Sequence, residues 1–179
     1  MKHAWILICA LSAALIFNLP ALASKMEKGR EYVSGEFIEV PEAGVGFVVP
    51  SGWRGMLPKD IDMFVMTPDN ESYIFAFARK MEKNELKKMF SAPIHLSNGI
   101  SLFPTSDPFI SYREISVPYR VGASDDAMAG YGRAKQGPNG SVIGFIAAGP
   151  ISHGASLAVL TKQLTSGTTF FRASDNKKQ

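Results

Sequence analysis

The chain is 179 residues long, carries 19 Lys plus Arg against 16 Asp plus Glu, and has one cysteine, Cys9. A formal charge of +3 spread along the sequence excludes the basic stripe of a nucleic-acid binder and makes no case for an anionic membrane surface. A lone thiol also excludes an internal disulfide or a multi-thiolate metal site.

Residues 1–23, MKHAWILICALSAALIFNLPALA, have the pattern of a secretory signal peptide. Lys2 and His3 give the basic start, Ala4 to Phe17 is an uncharged apolar run, Pro20 breaks it, and Ala21-Leu22-Ala23 supplies small residues for cleavage. The run falls short of the about 20 apolar residues of a spanning helix. The sequence therefore predicts an exported protein, periplasmic or secreted, that does not span a membrane. Cleavage after Ala23 leaves 156 residues, the size of one domain, and takes Cys9 with it. Ser24 stands where a lipid-attachment cysteine would have to be.

Residues 24–35, with KMEKGREY at their centre, have no apolar period and read as a flexible leader; residues 36–171 read as one domain and 172–179 as a polar tail. Phe37 to Val40 and Val45 to Val49 are strand-like runs around Pro41-Glu42-Ala43-Gly44, and Pro50-Ser51-Gly52-Trp53 follows as a turn. A second hairpin joins Asp62–Thr67 to Ser72–Lys80 through Pro68-Asp69-Asn70-Glu71. In the latter run Tyr73, Phe75 and Phe77 share one face and Ile74, Ala76 and Ala78 the other. The small face is expected to receive a helix, and Glu82 to Ser91 offers one, with Leu86, Met89 and Phe90 on a stripe and Pro93 as its stop.

Ile100 to Phe103 and Phe109 to Val121 continue the strands, the second kinked at Pro118 because proline cannot donate to a ladder. Ala127–Gln136 and Ser141–Ala148 flank Gly137-Pro138-Asn139-Gly140, the strongest hairpin signal in the chain. Ala155 to Thr165 carries Leu157, Leu160 and Leu164 on one side with Gly167 just beyond, an amphipathic helix with a glycine stop, and Thr168 to Phe171 returns as a strand.

Two helices among hairpin-linked strands predict an α+β fold, an antiparallel β-sheet flanked by two helices. The order of elements, the F-x-V-P-x-G-W form of Phe47 to Trp53, and the run LAVLTKQLTSGTTFF into a terminal strand resemble the Mog1/PsbP-like superfamily, which includes small exported DcrB-like bacterial proteins. The resemblance covers about residues 37–171. It implies an α/β/α-like sandwich around an antiparallel sheet and use as an accessory or binding module, and it carries over no catalytic residue.

The chemistry is sparse. His153-Gly154-Ala155-Ser156-Leu157-Ala158 resembles a nucleophile elbow, but no histidine follows Ser156, the only later acid is Asp175, and Ala158 replaces the last glycine of the motif. Ser152 or Ser156 is expected instead to cap the last helix. His95 and His153 lie 58 residues apart without metal-ligand spacing, and Asp60/Asp62 and Asp125/Asp126 lack the other oxygens of a calcium loop. Met63 and Met66 fall on opposite strand faces and read as packing residues. The glycine-rich turns lack a phosphate-loop ending, and the sequons at Asn70 and Asn139 matter only in a eukaryotic host.

What remains is a surface: Trp53 and Arg54 after the first hairpin, and Tyr131, Arg133 and Lys135 on one face of their strand, form a candidate recognition patch. The expectation is an exported non-enzymatic accessory or binding protein of the bacterial envelope, without cofactor, catalytic residue or bound metal. Its partner is an envelope or extracellular protein or a small ligand, and its oligomeric state is open. The alternatives are a secreted hydrolase using Ser156 with a histidine, and a secreted virulence factor acting on a host target.

Overall fold

The computed structural model describes residues 24–68, 71–96, 100–122 and 128–171. The signal-peptide reading of 1–23, the polar tail 172–179, the sequon asparagine Asn70 and the Asp125/Asp126 pair lie outside the described residues. The chain forms strands β1 (Ser24–Lys25), β2 (Glu31–Tyr32), β3 (Phe37–Val40), β4 (Val45–Val48), β5 (Arg54–Met56), β6 (Phe64–Thr67) and β7 (Tyr73–Lys80). Helix α1 (Lys83–Ser91) leads to β8 (Ile94–His95), β9 (Ser101–Pro104), β10 (Phe109–Ile110), β11 (Glu114–Val121), β12 (Met128–Gln136) and β13 (Ser141–Pro150). Helix α2 (Gly154–Ser166) and β14 (Thr169–Phe170) follow.

The strands form a large sheet in the order β2-β5-β6-β7-β13-β12-β11-β9-β8, with β10 on β11, and a small sheet β1-β3-β4-β14. Every ladder of the large sheet is antiparallel. At its centre, β13 is buried on both faces. Val142, Ile146 and Ala148 join the first-face cluster with Phe75, Phe77, Val117 and Tyr119, and α1 adds Leu86 and Phe90. Ile143, Phe145 and Ala147 join the second-face cluster with Ile38, Val45 and Phe47 of the small sheet, and α2 adds Leu157 and Leu164. Among the described residues the architecture is thus α+β, mostly sheet, with two α-helices.

The β12–β13 hairpin turns as its sequence predicts. Asn139 (φ 58°) and Gly140 (φ 73°) both take left-handed backbone, which asparagine and glycine tolerate best.

Three expectations change. Residues 24–35 are not a loose leader: β1 pairs with β3, β2 pairs with β5, and Tyr32 is wholly buried. The cause is one aromatic side chain, whose ring meets Phe64 edge-on at 5.4 Å while its hydroxyl donates to the Lys25 carbonyl (3.0 Å) and accepts from the Glu27 N–H (2.7 Å). Helix α1 buries on the Phe75/Phe77 face and not on the small face. Ala76 sits opposite Phe145, so the small side chains make room for the Phe47, Phe64 and Phe145 rings, which meet at 5.6 Å. Finally, the Phe109–Val121 run breaks at Ser111–Arg113 and continues through Pro118. The Pro118 carbonyl accepts from the Thr105 N–H, so the missing proline N–H points to that same side, past the β9 ladder, and costs no bond to β12.

Gly144 of β13 lies opposite Phe77, whose ring covers it so closely that a Cβ there would run into the ring. Gly144→Ala is expected to cost about 1–3 kcal/mol by overpacking, read as a lower urea midpoint with unchanged slope, and shortening the neighbour with Phe77→Leu should recover part of the loss.

Candidate groove on the open half of the sheet

Helix α1 is held at both ends. Glu82 and Glu85 form a reciprocal capping box at its start, and it stops at Ala92 ahead of Pro93. On the sheet, Phe90 packs against Gly132 and Tyr119, where a side chain in place of Gly132 would collide with both rings. A nine-residue helix is only about 14 Å long, roughly three strand spacings. It closes the first face over β11 and β12; over β7 the helix gives way to a concavity at whose base Phe75 and Phe77 are only 4% and 8% exposed, bordered by Met63 and by residues 92–96.

This concavity is a trough of about 760 Å³. Phe75 and Phe77 form its floor, Met63 one wall, and Met89 and Ile94 the other. A second hollow of about 370 Å³, with Met56, Val65 and Tyr73, shares Ile61 and Phe75 with the first and extends it across β5. Tyr73 and Phe75 stack along this floor with centroids 6.4 Å apart.

Charge sits at the rim. The Arg79 guanidinium lies 5.9 Å from the Phe77 ring centroid and donates to the Met89 sulfur at 3.5 Å. Among the described residues, no carboxylate lies within ion-pair distance of Arg79. Asp62, also at the rim, is taken by Lys28 Nζ at 3.0 Å. His95 Nδ1 is 2.9 Å from Ser101 Oγ.

The five sequence-predicted surface residues do not come together. Tyr131, Arg133 and Lys135 share the second face of β12, where Lys135 Nζ donates to the Thr165 carbonyl of α2 at 3.4 Å. Arg133 bonds Glu114 at 3.2 Å and the Tyr131 hydroxyl at 3.4 Å, with its guanidinium 5.8 Å from the Tyr131 ring. Trp53 packs on the second-face cluster, whereas Arg54 points to the first face, at the rim of the second hollow and 4.0 Å from Glu31. β5 and β12 stand four strand steps apart in the sheet, about 19 Å.

His153 is the residue before α2 and gives it no side-chain cap; neither do Ser152 or Ser156. Its Nδ1 is instead 3.0 Å from Ser72 Oγ, tying the turn before α2 to the start of β7. Sequence reading missed this pair, 81 positions apart. Ser72 is only 2% exposed, while Ser156 is exposed in the first turn of α2, and His95 lines the trough on the other side of the sheet. Met66 is buried in the second-face cluster and Met63 packs on the first. Among the described residues no three His, Cys, Asp or Glu side chains gather as a metal site requires, and no helix is long and apolar enough to cross a membrane.

No family model and no curated protein matches the chain. Among solved structures it is similar to cyanobacterial PsbP (CyanoP) from Synechocystis sp. PCC 6803, at 12% identity over 79% of this chain and 92% of that one, with a TM-score of 0.49.

The trough's helical wall is tied down by Tyr119, whose buried hydroxyl donates to the Phe90 carbonyl at 3.3 Å. Burial pushes that hydroxyl well above the usual phenol range. The folded state therefore resists ionisation that the unfolded chain accepts near pH 10, so stability from this group is complete below about pH 10 and is lost as pH rises beyond it. Urea titrations at rising alkaline pH should show stability falling, with up to about 1.4 kcal/mol per pH unit of that slope removed by Tyr119→Phe.

Proposed function

We propose that this chain is an exported, non-enzymatic accessory protein of the bacterial envelope that holds a single-chain carboxylate amphiphile in the trough over β5–β7. The carrying observation is an apolar concavity with a cation, Arg79, at its mouth that no carboxylate of the described residues pairs. Its volume falls in the range of small-molecule sites, about 300–1,000 Å³. Met63 and Met89 give it unbranched, polarizable walls that adapt to a flexible chain, and Arg79 supplies donors for a carboxylate head. Export rests on the basic start, apolar run and small-residue end of residues 1–23.

The test is calorimetric titration of the processed protein, beginning at Ser24, with laurate and with the uncharged alcohol of the same chain length. Laurate should bind saturably, Arg79→Glu should weaken it about tenfold, equivalent to about 1.4 kcal/mol, and the alcohol should bind both proteins equally. Met63→Lys should weaken both ligands. No saturable binding of either, or equal effects of Arg79→Glu on both, would overturn the reading.

A further inference from the structure

A second surface, away from the trough, has a different character. The β10–β11 hairpin carries Phe109 at 72% exposure, Ile110 at 38% and Tyr112 at 83%. Its turn is closed by the Ser111 N–H donating to the Glu114 carbonyl at 2.9 Å, so these side chains are held outward by a hydrogen-bonded loop. Cross-strand register sets Phe109 against Ser116 and Ile110 against Ile115, so these two project to opposite faces of the hairpin on either side of the turn that carries Tyr112. Three apolar side chains this exposed within four residues are uncommon on a soluble surface and mark a contact site.

Cations lie at the turn and on the Ile110 side of the hairpin. The Arg113 guanidinium stands 5.2 Å from the Tyr112 ring centroid. Lys83 and Lys87, one turn apart on α1, border the same shallow hollow as Ile110, Tyr112 and Arg113. Among the described residues no carboxylate lies within ion-pair distance of these three. Of the nearby acids, Glu82 and Glu85 hold the capping box and Glu114 pairs with Arg133, while Asp107, two residues before Phe109, is exposed and outside the ion pairs of the described residues. The hollow holds only about 60 Å³, too little to seat the side chains of a peptide, so the surface is a knob and not a groove.

We propose that this knob docks on an anionic bilayer surface, with Phe109, Ile110 and Tyr112 entering the headgroup layer and Lys83, Lys87 and Arg113 facing lipid phosphates. Aromatic side chains favour that interfacial layer, and basic side chains near an anionic leaflet are drawn to it within a Debye length. Peripheral attachment follows, without any spanning segment.

Co-sedimentation of the processed protein with phosphatidylglycerol-containing vesicles and with pure phosphatidylcholine vesicles tests this. Binding should be several-fold stronger to the anionic vesicles and should fade as salt is raised. The double variant Phe109→Ser/Tyr112→Ser and the double variant Lys83→Glu/Lys87→Glu should each cut it about tenfold, with laurate affinity unchanged so that the trough is scored separately. Equal binding to both vesicle types, no binding, or binding untouched by both variants would overturn the proposal. So would binding of polyglutamate without binding of vesicles, which would give the knob to an acidic protein.

Discussion

The burial of β13 on both faces governs everything else in this molecule. Its sequence, SVIGFIAAGP, gives one face Val142, Ile146 and Ala148 and the other Ile143, Phe145 and Ala147, and both sets are buried. Each large side chain withdrawn from water there contributes about 1.5–3 kcal/mol. Because β7 and β12 flank it along most of its length, the same strand fixes which residues of its neighbours face which cluster. Phe77 and Gly132 belong to the first face because Gly144 and Ile146 do.

A sheet buried at its centre on both sides needs covers, and these covers are unequal. The second face receives the small sheet and the thirteen-residue α2 together. The first receives the nine-residue α1, which is too short to cross it. The trough is the remainder: aromatic floor that the β7 alternation places on the first face and that α1 does not reach. The same shortness puts Lys83 and Lys87 beside the β10–β11 hairpin, so one helix borders both the trough and the knob.

Local features were legible in the sequence. Turn residues located the hairpins, periodicity located both helices, and the alternation of Tyr73, Phe75 and Phe77 marked an aromatic face. Neighbourhood across the sheet was not legible. β7 pairs with β13 across some 60 residues, and nothing in either strand announces the other. Hence periodicity and alternation alone place α1 on the wrong face and group Trp53 and Arg54 with a strand four places away. Residues 24–35 lacked periodicity because two-residue strands are too short to display one, and the only clue was Tyr32, an aromatic in a polar run. The whole-chain charge of +3 likewise hid the local gathering of Lys83, Lys87 and Arg113, which needs the packing of α1 beside β11.

The central claim is that the trough on the first face receives an apolar ligand, and methionine methyl NMR tests it within one spectrum. Met63 and Met89 wall the trough and Met56 lies at its extension, whereas Met66 is buried on the opposite face and serves as the internal control. Titration with laurate should shift the Met63 and Met89 methyl signals progressively to saturation, move Met56 less, and leave Met66 in place. Unmoved Met63 and Met89 signals, or a shift as large at Met66 as at either of them, would contradict the account.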